Sequence, residues 1–70
     1  MKYAEAMAML EKVKNYPDEA RWYDCIIAKK DDNGELWFYG AYDYENITEV
    51  CEIAKKIDGL VLDNGHLGDH

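Results

Sequence analysis

The segment WFYGAYDYE, from Trp37 to Glu45, places aromatic rings and carboxylates side by side. Five of its nine residues are aromatic, and its only charges are negative. Tyrosine rings attract the cations of arginine and lysine through cation–π contacts and bury readily at interfaces, while carboxylates form ion pairs with the same cations. The rings and carboxylates of this segment could therefore bind a basic protein surface.

Carboxylates continue from this segment into the next one. Glu45, Glu49 and Glu52 recur at spacings of four and three residues, which places them along one exposed side of a helix. The alternative is an acidic face that only keeps the chain soluble, because helix N-termini favour acids in any case. The predicted partner-binding residues of this surface are Tyr39, Tyr42, Asp43, Tyr44, Glu45, Glu49 and Glu52.

Residue types needed for catalysis or metal binding are scarce. The chain has no serine and no glutamine, and its two histidines, His66 and His70, are close to the C-terminus. A catalytic triad needs a nucleophile and a base held by fixed elements. Cys25 and Cys51 lack the C-x-x-C spacing of zinc ligands. We expect no enzymatic activity, no catalytic residue, no metal and no cofactor.

The two cysteines lie among apolar neighbours, where a free thiol behaves as a small hydrophobic side chain. Without a secretion signal, reduced thiols are favoured. We predict that Cys25 and Cys51 are both buried free thiols. The alternative is a disulfide that joins a strand to a helix.

Net charge limits the classes of partner. The chain carries 15 acidic and 8 basic residues, a net charge of −7, and its only arginine is Arg21. Affinity for nucleic acid comes from phosphate neutralisation by Lys and Arg, and anionic membranes repel an acidic protein. We therefore expect no direct nucleic-acid or membrane binding, and a basic protein surface as the partner.

The N-terminal stretch MKYAEAMAML carries a glutamate within its apolar run and lacks a small-residue cleavage site, unlike a signal peptide. No apolar run has the length of a transmembrane helix. The expected location is the cytoplasm.

Local patterns predict five elements. Strong helix formers indicate a helix from Lys2 to about Asn15, and NYPDE ends it at Pro17. The pattern predicts two strands, RWYDCIIAKK and LWFYGAY, joined by a hairpin turn at Asp31–Gly34. A second helix is predicted for the segment ENITEVCEIAKKIDG. Asn46 and Glu49 are expected to form its capping pair, and Gly59 to end it in a left-handed conformation. LVLD predicts a third strand.

The fold class is therefore α+β with the order α-β-β-α-β. A right-handed crossover puts the third strand beside the first, giving a mostly antiparallel three-stranded sheet of order 2-1-3. We expect both helices on one face of the sheet, as in half of a ferredoxin-like fold with an additional N-terminal helix. Residues 1–63 are predicted to form one compact domain, and residues 64–70 a flexible tail.

Two helices on one face leave aromatic side chains on the other. An exposed aromatic patch on a small domain marks an interface. This gives an alternative function: a small adaptor or homodimerisation module that binds through an open sheet face, with Trp22 and Trp37 as its main contact residues. Internal cover of that face by NYPDE or by the tail is the other possibility.

In size, acidity and aromatic density, the chain resembles small phage-encoded inhibitors of bacterial defence, such as anti-CRISPR proteins. The resemblance implies a protein–protein interaction without chemistry. The chain would occupy the basic nucleic-acid-binding surface of a host effector, in part by imitating phosphate charge.

Overall fold

Three strands form one sheet in the computed structural model, which describes residues 9–64. They are β1 (Cys25–Lys30), β2 (Leu36–Tyr42) and β3 (Gly59–Asp63). Their order is β2-β1-β3, and β1 pairs antiparallel with both neighbours. This confirms the α+β class and the predicted order 2-1-3. The similarity to half of a ferredoxin-like fold stays a prediction.

The hairpin between β1 and β2 turns where the sequence predicts. The Gly34 N–H donates to the Asp31 carbonyl at 3.1 Å, and the Asp31 N–H donates to the Glu35 carbonyl at 2.9 Å. Gly34 has a φ of 80°, in the left-handed region that glycine adopts without steric cost. Local turn chemistry therefore determines the register of the hairpin, with Lys30 opposite Leu36.

The helix α1 (Ile47–Ile57) follows β2 after a 3₁₀ turn at Tyr44–Asn46. Asn46 occupies the N-cap position, but its side chain makes no capping hydrogen bond, so the predicted capping pair is wrong. Asp58, not Gly59, is the left-handed residue after the helix, with φ 55° and its N–H directed to the Ala54 carbonyl. Aspartate tolerates this conformation better than most residues, which leaves Gly59 to begin β3.

β1 is shorter than predicted. Residues Asp18–Trp22 form a 3₁₀ helix after Pro17, and the strand begins only at Cys25. The Ala20 N–H donates to the Pro17 carbonyl at 3.0 Å, which starts this helix. Proline and two acids suit a helical N-terminus, and they outweigh the β propensity of Trp22.

Apolar side chains cover both faces of the sheet, so the prediction of two helices on one face is wrong. On one face, Ile26 and Ala28 of β1 pack with Met9, Leu10 and Val13 of the N-terminal segment, whose residues 9–11 are helical. On the other face, Cys25 and Ile27 pack with α1. The central strand is buried on both sides because every residue from Cys25 to Ala28 is apolar. The predicted helix residues 2–8 lie outside the described range.

The outer edge of β2 is covered by the N-terminal segment. The Lys14 N–H donates to the Leu36 carbonyl at 2.7 Å, and the Phe38 N–H donates to the Lys14 carbonyl at 2.9 Å. Lys14 therefore forms a parallel bridge with Trp37 and does not belong to the predicted helix. Its ammonium group also pairs with the Glu35 carboxylate. The bridge protects this edge of the sheet from further pairing.

Asn64, which the sequence assigned to the tail, joins the fold. Its amide donates to the carbonyls of Ala20 and Tyr23, both at 2.8 Å, and its side-chain oxygen accepts the Tyr16 hydroxyl at 2.6 Å. These bonds tie the end of β3 to the 3₁₀ helix. The remaining tail residues, 65–70, lie outside the described range.

Candidate functional site

A bulge in β2 determines where its tyrosines lie. Ile27 is opposite Gly40 and Ala28 is opposite Phe38, so Tyr39 is an extra residue in the strand. Alternation is interrupted there: Leu36 and Phe38 belong to the face covered by the N-terminal segment, whereas Tyr42 belongs to the α1 face. Leu36, Phe38, Gly40 and Tyr42, which strict alternation along the strand would place on one face, are therefore divided between two faces. Tyr39 is 50% exposed at the bulge.

Gly40 provides the space in which the Tyr42 ring lies. A Cβ built on Gly40 would be 2.5 Å from the Tyr42 hydroxyl oxygen, and 2.9 Å and 3.0 Å from two ring carbons. Gly40 has no positive φ, so its backbone does not require glycine. Glycine is needed at this position only for the space it leaves, because the Tyr42 ring folds back along its own strand. Sequence analysis missed this residue, and its one signal was a glycine inside a strand pattern.

Tyr42 connects the bulge to α1. Burial raises the pKa of Tyr42, and the neighbouring Tyr39, Cys25 and Glu49 raise it further. The Tyr42 ring packs against the α1 core, and Tyr39 and the exposed Glu49 are close enough for their charges to act on its hydroxyl. The structure therefore brings together two of the predicted tyrosines and one acid of α1.

The remaining predicted acids surround this group. Asp43 follows β2, Glu45 lies in the 3₁₀ turn, and Glu52 is on the outer side of α1; all three are exposed. Together with the connected group they form what we call the acidic–tyrosine surface, which comprises Tyr39, Tyr42, Asp43, Glu45, Glu49 and Glu52. It contains carboxylates and aromatic rings but no basic side chain.

Tyr44 makes two hydrogen bonds within the fold. Its hydroxyl donates to Asp63 Oδ2 at 2.9 Å, and its backbone N–H donates to Asp24 Oδ2 at 2.9 Å. Burial, followed by the hydrogen bond and charge of Asp63, raises the pKa of Tyr44. Tyr44 therefore joins the 3₁₀ turn to the end of β3, and its ring packs with the α1 core.

Trp22 and Trp37 lie at opposite ends of the sheet and share no face. Trp22 precedes β1 and is 84% exposed, whereas Trp37 is opposite Lys29 near the end of that strand. The Trp37 indole donates to Asp31 Oδ2 at 2.8 Å, and the Lys14 ammonium lies 5.5 Å from its ring centroid. Because both sheet faces are covered, the expected open aromatic face does not exist in the described residues.

The two cysteines differ. Cys25 is buried and free, as predicted, and its thiol donates to the Tyr42 carbonyl at 3.6 Å. Burial raises its pKa to about 11, and nearby carboxylates add to the shift. Cys51 is free but exposed, which corrects the prediction of a buried thiol. Ile53 lies with Val50 and Ala54 on the apolar side of α1, and Cys51 lies at the margin of that side.

Residues 9–64 contain no group of three or more His, Cys, Asp and Glu side chains placed to bind a metal ion. His66 and His70 lie outside this range. Among the helices described, none has the length and apolarity needed to cross a membrane. Comparison of the chain with protein-family models, with curated proteins and with solved structures finds no match.

Proposed function

We propose that this chain is a non-enzymatic binding protein whose acidic–tyrosine surface occupies a basic, nucleic-acid-binding surface of another protein. The observation that carries the proposal is that Tyr39, Asp43, Glu45 and Glu49 are exposed in consecutive elements, from the β2 bulge to α1, with Tyr42 packed against the α1 core. This arrangement offers rings for cation–π contact and carboxylates for ion pairs within a single surface.

Charge supports a basic partner. A net charge of −7 on 70 residues creates a field that draws in cationic surfaces and repels phosphates. Carboxylates spaced along a strand end and a helix can replace the phosphates that a nucleic-acid-binding cleft normally contacts. An inhibitor of a host defence effector, encoded by a phage and acting in the cytoplasm, fits this mode of binding.

Charge reversal tests the proposal. Glu45, Glu49 and Glu52 are each replaced by Lys, and the control replaces Glu11, Glu19 and Asp32 by Lys. All six positions are exposed, and both variants change the net charge by the same amount. Each contacting pair changes from attraction to repulsion, worth about 2 kcal/mol at about 4 Å in water, or roughly a 30-fold loss of affinity.

The measurement is capture of basic proteins from a bacterial lysate by the immobilised chain, followed by elution with a single-stranded oligonucleotide or with salt. We expect the native chain and the control variant to capture proteins that the oligonucleotide releases, and the triple reversal to capture none of them. Circular dichroism confirms that each variant is folded. Equal capture by the triple reversal and the control would show that binding does not depend on this surface.

A further inference from the structure

Among residues 9–64, strand β3 is an edge of the sheet and pairs with β1 alone. The Asn64 N–H donates to the Asp24 carbonyl at 3.0 Å, and the next pair in the register is Cys25 with Asp63. In an antiparallel pair, hydrogen-bonded and non-hydrogen-bonded residues alternate. The backbone N–H and C=O of Val61 therefore point away from β1, toward the outside of the sheet.

The two edges of the sheet differ in protection. The β2 edge is bridged by Lys14 and distorted by the Tyr39 bulge. β3 contains no proline, lysine or bulge, which are the devices that normally prevent edge pairing. Leu60 is 39% exposed and Val61 is 36% exposed, one on each face of this edge. An unprotected edge with apolar residues on both faces is a template for another strand.

We propose that β3 pairs antiparallel with β3 of a second copy of this chain, about a two-fold axis at Val61, to form a continuous six-stranded sheet. In this register Val61 is opposite its own counterpart, and Leu60 is opposite Leu62 of the second copy. Gly59 is opposite Asp63, so no like charges face each other. The pairing forms roughly six backbone hydrogen bonds.

The flank of α1 above this edge suits a copy of itself. α1 contacts β3, and helical geometry places Cys51 and Lys55 on the flank opposite Glu49. A two-fold axis at the β3 edge would bring this flank of α1 toward the same flank of its copy. The side chains of Thr48 and Cys51 on this flank are small enough for such an approach.

Charges on α1 select the antiparallel copy over an unrelated strand. The first half of the helix carries acids and the last turn carries Lys55 and Lys56. A two-fold axis reverses the second helix, which places Glu52 of one copy near Lys55 of the other. The surface is therefore complementary to itself. It shares Glu52 with the acidic–tyrosine surface, whose other members lie toward β2, and the inference does not depend on the proposed function.

Sedimentation analysis of the native chain provides the first test. We expect a concentration-dependent mass that approaches twice the chain's 8.1 kDa. Because each copy carries a net charge of −7, added salt should strengthen the association by screening the mutual repulsion. A single species at the monomer mass at every concentration and salt level would overturn the proposal.

Oxidative cross-linking is a second test that needs no destabilising substitution. The proposed pairing brings the α1 flank that carries Cys51 toward its copy, so diamide should join two chains through Cys51 by accepting the two electrons and two protons that the thiols release. The buried Cys25, with its raised pKa, should not react. We expect at least a tenfold loss of cross-linked dimer in Cys51→Ser. Cross-linking no faster than that of an unfolded control chain contradicts the proposed axis.

A charged residue introduced into the β3 edge provides a third test. Val61→Lys should weaken association at least tenfold, because two like charges would then meet at the axis. The control is Asn33→Lys, which adds the same charge at an exposed position of the hairpin turn and leaves β3 unchanged. We expect the control to remain dimeric. A dimer that persists in Val61→Lys, or is lost equally in Asn33→Lys, excludes this edge as the interface.

Discussion

Gly40→Ala is the sharpest test of the geometry at the acidic–tyrosine surface. The added methyl group would meet the Tyr42 ring at 2.5 to 3.0 Å, too close for any van der Waals contact. Because the ring is rigid, it must move away from β2 as a whole. That movement uncovers the part of the α1 core against which Tyr42 packs.

Two opposing contributions determine how much Gly40→Ala changes the free energy of unfolding. Overpacking costs about 1–3 kcal/mol, whereas alanine in place of glycine lowers the entropy of the unfolded chain and returns about 0.4–1 kcal/mol. The backbone of Gly40 has no positive φ, so no conformational penalty is added. We expect a net loss of about 1 kcal/mol, or a melting temperature lower by about 4–8 °C for a domain of this size.

A double-mutant cycle with Tyr42→Val separates the clash from other effects. Valine suits a strand but is too short to reach over Gly40. In that background Gly40→Ala should become stabilising, by about 0.4–1 kcal/mol. Urea denaturation of the four proteins gives both free-energy differences. A stabilising Gly40→Ala in the native background, or the same destabilisation in both backgrounds, refutes the placement of the Tyr42 ring.

Two further predictions concern positions that set local conformation. Asp58→Gly should raise the free energy of unfolding by about 0.5 kcal/mol, because glycine adopts the left-handed conformation without strain and because a negative charge is removed from the helix C-terminus. The control is Asp58→Ala, which should not stabilise the chain. Urea denaturation measures both variants. The hydrogen bond from Trp37, then the backbone N–H groups of Glu35 and Asn33, lower the pKa of Asp31 below its ordinary 3.8. Its stabilising contribution is therefore full above that pH and is lost as the pH falls through and below it. The stability difference between the native chain and Asp31→Asn should shrink over that range, and a constant difference contradicts this role.

Local chemistry made the hairpin and the sheet order predictable. Asp31 and Gly34 determine the turn with residues close in sequence, and the handedness of a β-α-β crossover determines where β3 lies. No comparable rule decides which face an N-terminal segment covers. The continuous apolar run Cys25–Ala28 was the available signal, because a strand that is apolar on both faces must be covered on both.

The candidate site was predicted in part. Asp43, Glu45, Glu49 and Glu52 are exposed, as their polarity and spacing indicated. The role of Tyr44 depends on a hydrogen bond to Asp63, 19 positions away, which no local pattern reveals. The bulge at Tyr39 likewise depends on register with β1.

We expect the two proposed associations, one through the acidic–tyrosine surface and one through the β3 edge, to depend on salt in opposite directions. Across a six-stranded sheet, the two β2 strands would lie about 24 Å apart, more than two Debye lengths at about 0.1 M ionic strength. The acidic–tyrosine surfaces of a dimer would therefore act independently, and a partner with an extended basic cleft could contact both. Salt should weaken that contact and strengthen the pairing of β3. Opposite salt slopes in the two assays assign each association to its own edge, because a single nonspecific attraction would give slopes of the same sign.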